Sequence, residues 1–224
     1  MTIKKGEDWG ERTLVPAGTP IVDSDAALAG LFAVNDGGGE LELSGPEMVG
    51  LIPNDRDSKD PRASSNGLAR TMGARGTIDS LAGNERTVVP IDLGIVTVNP
   101  GSETTRHLVM AASLVVCGRF WAGVTEAAMN AAFLADWNVT PSGHPNDGRF
   151  DVVRAELSIG DRLKARKRLV SGAHLPHPDI SVRRLKTAEF EPVPSARVWI
   201  DGRMYRDVAR VLVVVVPDAV SVAI

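Results

Sequence analysis

The run Val211-Leu212-Val213-Val214-Val215-Val216, closed by Pro217, constrains the fold more than any other stretch of this chain. β-Branched side chains are stiff at χ1 and pack best on a pleated surface, so the run predicts a strand. It is apolar at every position and not at every second one, which predicts a strand buried on both faces. The run is too short to cross a bilayer as a helix, and no other apolar run approaches that length. Aromatics make up only 4% of the residues while Val and Ala are abundant, so the core is expected to be aliphatic and much of it β-sheet.

The 224 residues suit one large domain or two small ones, and 43% hydrophobic content is ample for a core. A net charge of −3 argues against general affinity for nucleic acid. The charge is unevenly spread: residues 1–60 hold twelve acids against five bases, and residues 161–186 hold eight bases against two acids. The lone Cys117, inside Leu114-Val115-Val116-Cys117, has no disulfide partner within the chain and reads as a small buried hydrophobe, in keeping with a reducing cytoplasm. Met1 to Gly10 lacks the apolar centre of an export signal, and a cytoplasmic location is expected.

Taken in order, Leu14-Val15-Pro16 and Pro20-Ile21-Val22 read as short extended pieces. Asp23-Ser24-Asp25 supplies an N-cap for a buried helix over Ala26 to Val34, ended by Asn35 to Gly39. The triplet Gly37-Gly38-Gly39 is followed by no Lys-Ser/Thr and reads as a turn, not a phosphate loop. Met48 to Pro53 predicts a buried strand, Asn54 to Arg62 an exposed loop, and Ser64 to Gly73 a capped helical turn. Gly143-His144-Pro145-Asn146-Asp147-Gly148-Arg149 is a tight turn that launches a strand from Phe150, and its Asp147 is a candidate seat for a hard cation. Ser158 to Leu169 is a capped basic helix whose Leu163 and Leu169 are expected to face a sheet, with Gly172 stopping it. His174 and His177 lack a third and fourth ligand at zinc spacing and read as packing or hydrogen-bonding groups. Asp92 and Asp151 read as partners for backbone or Arg, not as acid/base groups.

In order and spacing, Asp147, then Gly172-x-His174-x-x-His177-Pro178, then Val198-Trp199-Ile200-Asp201-Gly202-Arg203, then the closing strand with Pro217-Asp218-Ala219-Val220, resemble the C-terminal domain of the diacylglycerol kinase and sphingosine kinase superfamily of lipid kinases. The family writes these as a DG-x-x-D turn, G-x-H-x-x-H-P, V-D-G-E and a strand ending in P-x-A-x-x-V. Val88-Val89-Pro90-Ile91-Asp92-Leu93-Gly94 resembles its crossing into that domain, and Ser64 to Gly73 resembles its glycine-rich nucleotide loop. In that loop Asn66, Ala69, Arg70 and Gly73 match, whereas Ala63 and Ser65 replace glycines and Gly67 replaces an Asp. Where the family carries its proton-accepting Glu, this chain carries Arg203. A guanidinium has no acceptor site and stays protonated, so the usual chemistry is unavailable there.

The resemblance implies an α+β protein: a C-terminal β-sandwich over residues 88–224 and, over residues 1–87, a truncated α/β remnant of a nucleotide-binding domain. It implies a strand at Thr125 to Leu134, where propensity alone favours a helix. It also implies a structural magnesium on Asp147 and the carbonyls of His144 and Arg149; an Asx turn without an ion is the competing reading. ATP is not expected. The expected function is that of a catalytically inactive diacylglycerol kinase-like module binding a lipid or amphiphile, in the cleft between the two parts, or a protein partner. Asn66, Arg70 and Arg203 are the candidate ligand contacts. The alternatives are a lipid kinase completed by another subunit and a structural homodimer. The basic set from Arg162 to Lys186 is either a solvated face or a contact with an anionic membrane surface.

Overall fold

The computed structural model describes residues 9–38, 40–54, 58 and 60–224. Most of the Met1–Gly10 reading, Gly39 of the glycine triplet, and Asp55, Arg56, Asp57 and Lys59 of the 54–62 loop lie outside the described residues. In chain order, β1 (Glu11–Leu14), β2 (Ile21–Val22), α1 (Asp25–Ala29), β3 (Ala33–Asp36), β4 (Leu41–Ser44) and β5 (Met48–Leu51) come first. Next are α2 (Gly67–Met72), α3 (Ile78–Leu81), β6 (Glu85–Val98), β7 (Arg106–Met110), β8 (Ser113–Cys117), β9 (Thr125–Met129), β10 (Phe133–Leu134) and β11 (Trp137–Asn138). The chain closes with β12 (Phe150–Ala155), α4 (Ile159–Leu169), β13 (Ile180–Leu185), β14 (Thr187–Phe190), β15 (Arg197–Ile200), β16 (Arg203–Tyr205) and β17 (Val211–Ala223). The architecture is mixed α/β, mostly strand with few helices.

A long antiparallel ribbon of β6 and β17 organises the molecule. Its two halves serve different cores. Toward the start of β6 and the end of β17 the ribbon pairs with β1 and, in parallel, with β5, which continues to β2. Val89, Ile91, Leu93, Val220 and Val222 there pack with Leu28 of α1 and Leu68 of α2. Toward the other end it pairs with β7 and β14, and Val96, Val98, Val211 and Val213 meet Leu114, Phe150 and Ile200 from a six-stranded sheet ordered β13-β12-β9-β8-β15-β16. The change of core falls within β6, between Leu93 and Val96, and residue 87 lies in the first part of that strand. Gly94 sits where the cores meet: a Cβ there would stand 3.1 Å from the ring of fully buried Phe150 and 3.2 Å from Met110 and Val213, so a side chain would require these neighbours to shift by a few tenths of an ångström. Burying a ring of that size contributes about 1.5–3 kcal/mol.

The structure corrects three expectations. The helix expected through Val34 stops at Ala29, capped by Gly30, and Ala33–Asp36 forms a hairpin with β4. The hairpin gives Val34 and its neighbours backbone partners that an isolated helix end lacks. In β17, Val211, Val213 and Val215 are buried but Val214 is exposed, because only one face of that half meets the second sheet. Leu163 and Leu169 of α4 do turn toward the sheet, lining the space beneath the helix, but Leu163 stays 61% exposed and is not buried against it. Thr125 to Leu134, by contrast, does form strand, as β9 and β10.

Candidate functional site

Helix α2 opens in the segment that resembles a nucleotide loop, and its first amides are already occupied. Asp25, 2% exposed at the start of α1, accepts from the amide of Gly67 at 2.6 Å and of Leu68 at 3.1 Å. A carboxylate at a helix N-terminus satisfies donors that would otherwise face solvent or an anion. Asn66 gives no capping bond; its side chain exchanges hydrogen bonds with the backbone of Asn54, at 3.4 and 3.2 Å. Arg70 forms a 2.6 Å ion pair with Asp136 and lies over the Phe133 ring. Both candidate contacts from this segment are thus engaged within the chain. The sequence marks Asp25 as part of a helix cap, but its partners lie 42 and 43 residues along the chain.

The Asp201-Gly202-Arg203 turn joins β15 to β16. Asp201 is buried and accepts three amides, from Ala111 at 2.7 Å, Ala112 at 2.8 Å and Ser113 at 2.9 Å. Burial nevertheless pushes its carboxyl up to about 6, with the three amide bonds and the nearby charge of Arg203 opposing. Gly202 has φ +81°, and a Cβ there would lie 2.8 Å from the Ser64 carbonyl, so this turn docks tightly on the segment before α2. Arg203 is exposed and forms no ion pair among the described residues. It lines a cavity of about 340 Å³ together with His107 and Tyr205.

At the tight turn, buried Asp92 accepts the amides of Gly148 at 2.7 Å and Asp218 at 3.0 Å, tying the turn to the irregularity in β17. Burial raises the Asp92 carboxyl and those two bonds oppose it. Asp151 meets Arg184 at 3.3 Å. Asp92 and Asp151 thus act as partners for backbone and Arg, as read. Asp147 forms the Asx turn, accepting from the Arg149 amide at 3.0 Å, and its other oxygen lies 3.7 Å from Arg184. His144 accepts from the Asn146 amide at 3.3 Å and stacks edge-on against Trp9. Asn146 donates to Asp218 at 2.8 Å, while its buried Oδ1 has no hydrogen-bond partner. Asp92, Asn146, Asp147 and Asp218 line one cavity of about 290 Å³. The Asp147 carboxylate and the orphaned Asn146 Oδ1 are oxygen groups of the kind a hard cation takes, while both Asp92 oxygens are occupied by amides and Arg149 and Lys186 share the cavity. Among the described residues no cluster of three His, Cys, Asp or Glu side chains stands at metal-binding range.

The last feature was missed in the sequence. Helix α4 lies over the outer face of the six-stranded sheet and leaves a groove of about 200 Å³. Val115, Ala127, Met129 and Val153 supply apolar wall from β8, β9 and β12, while α4 contributes Leu163, Ala165 and Leu169. Arg162 and Arg166 line it too, with Trp121 and Trp137; Arg166 lies 5.8 Å over the Trp137 ring. His174 accordingly does a packing job: it lines the groove and bonds the Val139 carbonyl at 3.1 Å. His177 accepts from the Asp179 amide. The signal for the groove was the alternation in β9, where Ala128 faces the shared core while Ala127 and Met129 face α4. Two apolar faces on one strand require two covers, and α4 only partly supplies the second.

No known family model matches the sequence, and no curated protein matches it. Among solved structures, the chain is similar to a diacylglycerol kinase from Bacillus anthracis str. Sterne, with a TM-score of 0.54 at 14% identity over 79% of this chain. That alignment covers 66% of the kinase, so the chain spans just under two-thirds of its length. A second structure, a putative diacylglycerol kinase from the same strain, aligns with a TM-score of 0.48 at 13% identity, covering 79% of this chain and 68% of that one. At this identity the likeness is one of fold: the chain has a diacylglycerol kinase-like fold. Among the described residues no helix is long and apolar enough to cross a membrane.

Proposed function

We propose that this chain is a binding module on a lipid kinase fold that holds the apolar part of an amphiphile in the groove beneath α4 and transfers no phosphate by itself. The groove carries the reading. Its walls are aliphatic and aromatic, its polar groups are few, and two guanidinium groups suit an anionic or hydroxylated head. Each methylene taken from water contributes roughly 0.8 kcal/mol, so a short chain gives useful affinity without deep burial. Ile159, Leu163 and Val170 are exposed on or just beyond α4 among Arg162, Lys164, Arg166, Lys167 and Arg168, a pattern that suits an anionic membrane surface as the source of the amphiphile.

In this reading residues 88–224 act as a β-sandwich unit and residues 1–87 as a shortened α/β remnant. Two observations support the lack of phosphoryl transfer. The α2 amides that would face a nucleotide phosphate are bonded to Asp25, and a permanent cation, Arg203, follows Asp201-Gly202. A hard cation held by Asp147, the Asn146 amide oxygen and the carbonyls of His144 and Arg149 would brace the tight turn. The chain is taken to work in the cytoplasm.

The test is quenching of tryptophan fluorescence by a short-chain diglyceride brominated on its acyl chains, since Trp121 and Trp137 line the groove. Saturable quenching is expected, and Ala127→Phe should abolish it while the far-ultraviolet spectrum stays unchanged. ATP with Mg²⁺ should leave Tm where it was. Quenching that survives Ala127→Phe, or a clear rise of Tm with nucleotide, overturns the proposal; the latter outcome favours a kinase completed by another chain.

A further inference from the structure

The cavity at Arg203 shares no lining residue with the groove under α4. Its walls come from α1 and β3 on one side and from β7 and the β15–β16 hairpin on the other. We propose that this cavity is a second binding site, for a phosphate or carboxylate group carried on a small apolar body.

Three donors meet there. Arg203 offers a planar fork with no ion pair among the described residues. Tyr205 is half-buried, and its hydroxyl forms no hydrogen bond among the described residues. His107 Nδ1 lies 3.1 Å from the Thr97 hydroxyl, and in the tautomer in which Thr97 donates this bond the imidazole proton sits on Nε2 and can serve an anion. The field of Arg106 also reaches Tyr205. One acid lines the cavity, Asp201, and both of its oxygens are bonded to the amides of Ala111, Ala112 and Ser113. The carboxylate therefore does not compete for the guanidinium at contact distance, and the accessible polar groups are donors. An anion is the ligand type that satisfies such a set.

The remaining wall defines the rest of the ligand. Phe32, Val34, Leu108, Val109 and Ile200 are apolar, and Ala26, Ala29 and Gly30 leave space beside them. A bare inorganic anion would leave this surface wet. An aryl or short alkyl phosphate or carboxylate covers it while its charged end reaches Arg203 and Tyr205.

The experiment is isothermal titration calorimetry of the full chain at low ionic strength, with phenyl phosphate, phenylacetate and inorganic phosphate as probes. Saturable binding of phenyl phosphate is expected, with inorganic phosphate about tenfold weaker or worse. Arg203→Ala should weaken phenyl phosphate about tenfold or more, and Tyr205→Phe about threefold. Arg203 is exposed, so the variant should fold, and circular dichroism checks this. Phenylacetate binding more tightly than phenyl phosphate would assign the site to carboxylates, and the reverse order to phosphates. The Ala127→Phe variant should bind phenyl phosphate like the unmodified chain, which separates failure here from failure of the groove. Absence of saturable binding at millimolar probe, or full affinity in Arg203→Ala, overturns the proposal.

Discussion

Replacing Asp201 with Asn tests the buried carboxylate at the centre of the β15–β16 turn. The change keeps the shape and tolerates the positive φ of this residue, 45°. It retains an acceptor for the amides of Ala112 and Ser113 and turns a donor toward that of Ala111. At neutral pH it also removes a buried charge. The carboxyl lies at about 6 in the fold against an ordinary 3.8, with burial as the cause. The folded protein therefore keeps this proton over an interval in which the unfolded chain has lost it. The contribution to stability is fully present below 3.8 and is lost as pH rises through about 6. That interval corresponds to roughly 3 kcal/mol. Urea denaturation followed by tryptophan fluorescence from pH 4 to 7.5 reads it directly. Asp201→Asn should be less stable than the unmodified chain at pH 4, and the gap should close by roughly 3 kcal/mol on reaching pH 7.5. Parallel stability curves for the two proteins would refute the reasoning, because the titration of every other group is common to both.

Asp25→Ala strips the acceptor from the first two amides of α2 and should cost roughly 2–4 kcal/mol in urea denaturation; a loss under about 1 kcal/mol would mean that water caps this helix equally well. Adding Mg²⁺ to chelator-treated protein at about ten times its Kd should raise Tm by roughly 3–6 °C, and Asp147→Asn should remove the rise. An unchanged Tm for the unmodified chain would leave the Asx turn of Asp147 as the whole explanation of that loop.

Much of the strand content was legible because strand signals are local. The β-branched density of Val211 to Val216, the Met48 to Pro53 run and the turn before Phe150 each mark a strand within a few residues, and β17, β5 and β12 follow. Ser158 likewise announced α4, and its side chain does cap the Asp161 amide. The hairpin at β3 was not legible, because Ala26 to Val34 is compatible with a helix until β4 offers Val34 a partner. For Thr125 to Leu134 the residues alone favoured a helix, and only the family resemblance indicated strand.

Patterning of apolar and β-branched residues by itself determined that this chain builds sheets around an aliphatic core, since that choice is made by neighbouring side chains against one short stretch of backbone. Only the tertiary structure decided what the polar groups do. Asp201 reaches amides about ninety positions away, and Asp25 reaches α2 from another helix. The groove likewise exists only once α4 is laid across β8, β9 and β12. A carboxylate in a sequence is free to become a cap, a metal ligand or a surface charge, and which amides the closed chain brings within 3 Å of it settles the matter.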